Sequence, residues 1–378
     1  MIEAKDFFDL LHEHGTDFFT GVPDSLLKNI CAYITDSVPA QRHIISANEG
    51  NSVGLATGYH LATGKYPLVY MQNSGLGNTV NPLLSLADKD VYSIPLILMI
   101  GWRGEPGVKD EPQHITQGRL TLELLQTMEI PYEVLSDDLD EVKKQLVTCY
   151  SHLKEHKSPF ALVIKKDTFA PYSLKAKFEQ QAELTREQAL EIVLGQMQSD
   201  DIVVSTTGMT SREVYELREK MGMGHERDFL TVGSMGHASQ IALGIALEKN
   251  DRRVFCLDGD GAAIMHMGAL STVGALKPTN YVHIVFNNGA HDSVGGQPTV
   301  GASIDFLAIA KASGYPHTVR LCGAPDIVAV MQGLDAGAGP WFIEIPVLKG
   351  ARKDLGRPKS TPKDNKALFM SFVQGGKE

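Results

Sequence analysis

The sequence predicts an α/β protein made of two doubly wound parallel-sheet domains. Three observations predict it. Short apolar runs alternate with stretches of helical spacing in both halves of the chain. Several runs, PLILMIG above all, are apolar at every position, as a strand covered on both faces must be. The length, 378 residues, exceeds what one compact core needs and suits two.

The elements follow in order. Phe7, Phe8, Leu10 and Leu11 give Ala4 to His14 a helical face, and DFFTGV reads as a short strand. DSLLKNICAYI is a second helix, HIISA a strand and EGNSVGLATGYHLATG a helix. PLVYMQ is a strand, the stretch around Asn81 to Ala87 a helix, and PLILMIG a strand. Past a polar loop, TLELLQTMEI and Leu139 to His152 are helical and FALVIKK is a strand. FAPYSLKAKFEQQAELT is polar and aperiodic, so residues 169–184 form a linker between a first domain, 1–168, and a second, 185–348. The second domain repeats the alternation. REQALEIVLGQM is helix, DIVVST strand, a helix runs from Thr210, and DFLTVG is strand. A helix from His237, strand RVFCLDG, a further helix and strand YVHIVFNN come next, then strand HTVRLCG, helix DIVAVMQGL and strand WFIEIPV. Residues 349–378 form a basic, Pro-containing tail, helical near Ala367 to Val373.

Composition excludes several roles. The net charge is −10, which disfavours nucleic acid as a partner. Cys31, Cys149, Cys256 and Cys322 are scattered without a C-x-x-C pair, as in reduced cytoplasmic proteins. The first residues, MIEAKDFFDLLHEHG, are too charged for a signal peptide, and no apolar run could cross a bilayer, so no membrane partner is expected.

Chemistry concentrates where two strands end. Asp260 directly follows RVFCLDG and Asn288 closes YVHIVFNN. In open α/β sheets ligands bind at the carboxyl ends of strands, so both side chains would reach one crevice if the strands are neighbours. A carboxylate and an amide oxygen there suit a hard octahedral cation, Mg²⁺ above all, whose remaining oxygens come from phosphate and water. Gly259 and Gly261 allow close backbone approach, and the helix beginning near Ala262 offers N–H groups to an anion. Singly, an Asp-Gly turn and an Asn-Asn-Gly turn are ordinary. Jointly, with 25 residues between Gly261 and Asn287, they predict a Mg²⁺-diphosphate site. The dinucleotide motif fails, because Ile264 stands where its third glycine would be.

GDG, about 25 residues and then NN resembles the signature of thiamine diphosphate enzymes. The resemblance covers nearly the whole chain. It implies that the first domain binds the cofactor's pyrimidine and the second its diphosphate. Asp260, Asn288 and the backbone carbonyl of Ala290 would then hold the metal. The family also places a glutamate at the start of a helix after a strand, where it hydrogen-bonds N1′ of the pyrimidine and activates the cofactor. In HIISANEGNSVGLATGY that residue is Glu49. Ser46-x-x-Glu49 is equally a capping box, and the segment alone leaves both readings open. The loop TVGSMGHASQIALG, with Gly233, would place Met235 beneath the cofactor, and Gly208 and Met209 would approach its diphosphate. Because the two halves of a subunit usually serve different sites in this family, a homo-oligomer with active sites between subunits is implied.

The reaction implied is decarboxylation of a 2-oxo acid. Asp24, on the turn in GVPDS, and His114, in GWRGEPGVKDEPQHITQGR, match an acid and a histidine that work together in related decarboxylases. A histidine titrating near neutrality would suit proton delivery. Arg103, Lys109 and Arg119 in that loop, and Arg352, Lys353, Arg357 and Lys359 in the tail, make basic clusters on an acidic chain. Arg103, Lys109, Arg352 and Arg357 are the candidates for an anionic head group, a doubly charged phosphonate by preference and a sulfonate, with one charge fewer, as alternative. A non-catalytic regulatory subunit of the same fold is the remote alternative, disfavoured because Glu49 and the metal ligands are present.

Overall fold

The computed structural model describes residues 1–176, 181–335 and 337–375. Residues 177–180 of the expected linker lie outside the described residues. The chain divides into two compact units, Met1–Lys177 and Phe178–Glu378.

The first unit contains β1 (Phe19–Gly21), β2 (His43–Ile45), β3 (Leu68–Gln72), β4 (Ile97–Gly101), β5 (Tyr132–Val134) and β6 (Phe160–Ile164). They form one parallel sheet in the order β2-β1-β3-β4-β6-β5. Strand β4 shows why its sequence is apolar throughout. Ile97 and Met99 join one core with Phe7, Leu11 and Leu146, while Leu98 and Ile100 join the opposite core with Val53 and Leu125. Successive side chains point to opposite faces, and helices cover both.

The second unit contains β7 (Ile202–Ser205), β8 (Asp228–Leu230), β9 (Val254–Gly259), β10 (Tyr281–Asn287), β11 (His317–Arg320) and β12 (Trp341–Pro346). Its parallel order is β11-β12-β10-β9-β7-β8. In each sheet the second strand lies on one side of the first and the third strand on the other. That reversal opens a crevice at the carboxyl ends of the first and third strands.

Several elements depart from the sequence expectation. Strand β5 was not expected, nor was helix Phe306–Ser313, which Asp305 caps by accepting from the N–H groups of Leu307 and Ala308 at 3.1 Å each. The helix expected from Thr121 begins at Pro112 and takes in half of the polar loop. Its buried positions there are His114, Gly118 and Thr121, a helical spacing that apolar periodicity cannot register. The tail helix spans Pro362–Gln374, started by a capping box between Thr361 and Asp364. Cys31, Cys149 and Cys256 are buried thiols and Cys322 an exposed one, with none of them in a disulfide. Among the described residues no helix is long and apolar enough to cross a membrane.

Candidate active site

In the second unit β9 and β10 are neighbours, with Gly259 opposite Phe286. Asp260 and Asn288 therefore leave adjacent strands at the same level. Asp260 is the first residue of helix Asp260–Met265 and is buried, as is Asn288. Burial pushes the Asp260 carboxyl up to about 6, although the Thr299 hydroxyl and backbone N–H groups oppose the shift. Thr299 donates to Asp260 Oδ2 and thereby fastens the turn that follows β10. That turn folds back on itself. Thr299 N–H reaches the Gly289 carbonyl at 2.9 Å, and Ala290 bridges Pro298. Asn287, the other amide, is spent on structure: its Nδ2 donates to the Gly301 carbonyl at 2.8 Å and to Glu344 Oε1 at 2.9 Å.

Met235 and Gly261 meet at this end of the sheet. A Cβ on Gly261 would stand 3.4 Å from Met235 Cε and 3.0 Å from His291 Cε1, so only glycine leaves the approach open. Gly236 packs against Ala262 and Met265, which seats the loop carrying Gly233 and Met235 over the start of the same helix. Gly208 caps helix Met209–Lys220 and lies against Ser293 in the β10 turn. The structure thus gathers the expected second-unit residues around one strand end. It also leaves polar atoms unmet there. The Thr206 hydroxyl, just past β7, and both amide atoms of Gln297, in the β10 turn, are buried without a hydrogen-bond partner. Unmet donors beside a buried carboxylate fit a polyanion carried with a cation.

In the first unit Glu49 opens helix Glu49–Thr63 and is 5% exposed. Of the two readings left open for Ser46-x-x-Glu49, the capping box does not form. Asn48 is the cap, its Oδ1 accepting from Asn51 N–H at 2.9 Å, and Ser46 instead shares a hydrogen bond with Thr20 at 2.8 Å. Asn78 Nδ2 donates to Glu49 Oε2 at 2.7 Å. Gly75 lies against the same carboxylate, where a Cβ would come within 2.5 Å of Oε1. Glu49 is thus freed from capping and aimed by its neighbours.

Asp24 lies past β1 and is fully buried. Burial raises its carboxyl above the usual range, opposed by Gln72 and the Leu26 N–H. Gln72 Nε2 donates to Asp24 Oδ1 at 2.7 Å, and Leu26 N–H to Oδ2 at 2.9 Å. Arg103 approaches from β4. Its Nη1 donates to Ser25 Oγ at 2.8 Å, and Asp110 takes its Nε at 2.8 Å and its Nη2 at 2.5 Å. Arg103 and Asp24 attract, and His114 feels the Arg103 charge as well. Asp24, Arg103 and His114 therefore belong to one cluster, to which the structure adds Gln72 and Asp110. The QN of QNSGLGN carried the only signal for Gln72.

Two expectations need correction. His114 sits on a helix, buried, and that burial together with Arg103 pushes its imidazole down to about 4. It is neutral near pH 7 and does not titrate near neutrality. Arg352 is not an open cation: it pairs with Glu187 at 2.9 Å, with Glu216, and with Asp354 at 3.3 Å. Lys109, Arg119 and Arg357 are exposed.

Comparison with known proteins identifies the family. Residues 206–345 match the thiamine pyrophosphate enzyme, C-terminal TPP binding domain, and residues 3–125 match the N-terminal TPP binding domain. The chain is 35% identical to a phosphonopyruvate decarboxylase of Streptomyces viridochromogenes, over 99% of this chain and 95% of that protein. It is 36% identical to one of Streptomyces hygroscopicus, over 99% and 94%. A sulfopyruvate decarboxylase of Methanosarcina acetivorans is 26% identical, over 97% and 96%. With both domains matched and full-length relatives at this identity, the chain belongs to the thiamine pyrophosphate enzymes.

Proposed function

We infer that the chain is a thiamine diphosphate- and Mg²⁺-dependent decarboxylase that converts 3-phosphonopyruvate to phosphonoacetaldehyde and CO₂, a step of phosphonate biosynthesis toward 2-aminoethylphosphonate. The observation that carries the substrate is the similarity to two phosphonopyruvate decarboxylases along nearly the full length of both chains, at 35% and 36% identity. The sulfopyruvate relative stands at 26%.

Asp260, Asn288 and the Ala290 carbonyl would hold the cation. The backbone at Gly208, Met209, Gly259, Gly261 and Ala262 would line the diphosphate, with Gly233 and Met235 beneath the ring system. Bound thiamine diphosphate supplies the carbon nucleophile and electron sink that let a 2-oxo acid lose CO₂. The chain's part is to hold and aim. Glu49 keeps a carboxylate for the pyrimidine because Asn48 does the capping. Asp24, held by Gln72, and His114, as a neutral imidazole, would bracket the reacting carbons and control protons there. Arg103, with its charge partly answered by Asp110, lies beside Asp24, and Lys109 leads into that cluster. Arg352 would serve through its carboxylate partners, and Arg357 extends the same basic tail. Active sites would form between subunits of a homo-oligomer in the cytoplasm.

The test is CO₂ release from phosphonopyruvate, sulfopyruvate and pyruvate, each with and without thiamine diphosphate and Mg²⁺. Phosphonopyruvate should turn over fastest, and only with both additions. Preference for sulfopyruvate would move the assignment to the sulfonate, and no turnover of any of them would point to the regulatory alternative.

A further inference from the structure

One carboxylate oxygen in the second unit collects donors from three separate segments. Asp292 Oδ2 accepts from Asn288 Nδ2 at 2.6 Å and from the Gly350 N–H at 2.9 Å, and it pairs with Arg186 Nη1 at 3.4 Å. Arg186 is itself locked by Glu213, through Nε at 2.7 Å and Nη2 at 3.0 Å. The side chains of Asp292, Arg186 and Glu213 are 9%, 7% and 1% exposed. A buried carboxylate can only accept from an amide, so the contact with Asp292 decides which way Asn288 faces. Its NH₂ points to Asp292. Its Oδ1 is left on the other side, where it accepts from the Ala290 N–H at 3.0 Å.

The Gly350 contact belongs to a longer strap. Val347 N–H reaches the Asn287 carbonyl at 2.8 Å, and Lys349 Nζ reaches the Gly296 carbonyl at 2.5 Å. Beyond Gly350, Arg352 is held by Glu187 and Glu216. Arg212 donates to the Gly356 carbonyl at 2.6 Å, and Gly356 N–H to Glu216 Oε1 at 2.5 Å. Residues 349–354 are exposed, so polar contacts, not burial, hold this stretch down.

We propose that Asp292, fixed by Arg186, is a positioning residue that turns Asn288 Oδ1 into a cation ligand and couples that turn to docking of the 349–356 strap. The inference rests on the reading of Asn288 as a metal ligand. Its physical basis is general: partners behind a metal ligand set its orientation, and their loss commonly costs about 10–100-fold in metal affinity. Because Gly350 and Asn288 share one acceptor, whatever steadies one steadies the other. Coupling of this kind is reciprocal. Cation binding should therefore protect the strap, and loosening the strap should weaken cation binding.

The experiment uses the full chain with Mg²⁺ and thiamine diphosphate. Calorimetry reads Mg²⁺ affinity at saturating thiamine diphosphate. Limited trypsin digestion reads cleavage within the strap, at Lys349, Arg352 and Lys353. Asp292→Ala removes the acceptor that Asn288, Gly350 and Arg186 share, so the Asn288 NH₂ is no longer held. It should lose about 10–100-fold in Mg²⁺ affinity and should abolish the slowing of strap cleavage that Mg²⁺ and thiamine diphosphate give the natural chain. Lys349→Met frees the strap from Gly296 without touching the carboxylates, and should weaken Mg²⁺ several-fold by reciprocity. Asn288→Ala is the control on the underlying reading, and unchanged Mg²⁺ binding there would remove Asn288 from the site altogether. If Asn288→Ala weakens Mg²⁺ while Asp292→Ala does not, the positioning role is wrong and the metal reading stands. Strap cleavage indifferent to Mg²⁺ and thiamine diphosphate in the natural chain would overturn the coupling.

Discussion

Glu49 is a carboxylate whose surroundings separate a chemical role from a structural one. Its helix is capped by Asn48, and its own oxygens meet Asn78 and the bare backbone of Gly75. Glu49→Gln keeps an oxygen for Asn78 and should leave thermal stability nearly unchanged. It removes the charge that the pyrimidine needs, so turnover should fall by about 10²–10⁴-fold while thiamine diphosphate still binds. Steady-state rates beside a thermal melt check this, and full activity with a lowered melt would restore the capping role. His114 gives a different kind of test. Its imidazole sits near 4 in the folded chain against an ordinary 6.5. Between those values the unfolded chain binds the extra proton, so stability rises with pH. The contribution is complete above 6.5 and is lost as pH falls toward 4, up to about 3 kcal/mol for such a shift. Urea unfolding at pH 7, 5 and 4 should show this loss in the natural chain and a shallower one in His114→Gln.

At the scale of elements, the site is a property of strand ends. β9 and β10 are adjacent, so Asp260 and Asn288 arrive together, and Thr299 ties the β10 turn to Asp260. Without a cation, Asp260 is a buried carboxyl held at a cost, as its rise to about 6 records. Asp260→Ala should therefore cost at least about tenfold in Mg²⁺-thiamine diphosphate affinity without lowering the melting temperature of the cofactor-free protein at pH 8. Titration calorimetry and a thermal scan read the two effects, and unchanged affinity would remove Asp260 from the metal site. These strand ends were legible in the sequence because apolar runs stop at Asp-Gly and Asn-Asn, and local chemistry marks both. What was not legible depends on folding. Nothing local says that Asn78 will hold Glu49, that Gln72 will hold Asp24, or that burial will keep His114 neutral. The helix from Pro112 was hidden because its inner face is His, Gly and Thr, not aliphatic. Arg103 and Arg352 read alike as basic residues, yet one joins Asp24 and the other is consumed by Glu187, Glu216 and Asp354.

At the scale of the whole molecule, the chain carries its two sets of chemistry in different units, Glu49, Asp24 and His114 in one, Asp260 and Asn288 in the other. If sites form between subunits, each site takes Glu49 from one chain and Asp260 from another. That arrangement has a consequence that a single-chain site lacks. At limiting thiamine diphosphate and Mg²⁺, Glu49→Gln and Asp260→Ala should each be nearly inactive alone, since every site then has one defect. Co-expressed, they pair at random. A mixed pair places both defects in one site and leaves the other site with both natural residues. Half of the pairs are mixed and half of their sites are intact, so about a quarter of natural activity should return for symmetric pairing. The measurement is CO₂ release by the co-purified mixture, with each chain carrying its own tag so that mixed oligomers can be isolated. Mixed pairs alone should reach about half of natural activity by the same counting. If Glu49 and Asp260 of one chain served one site, every chain would remain defective and no mixture would recover. The recovered fraction therefore reads how the two units are shared among subunits, independently of which 2-oxo acid the enzyme prefers.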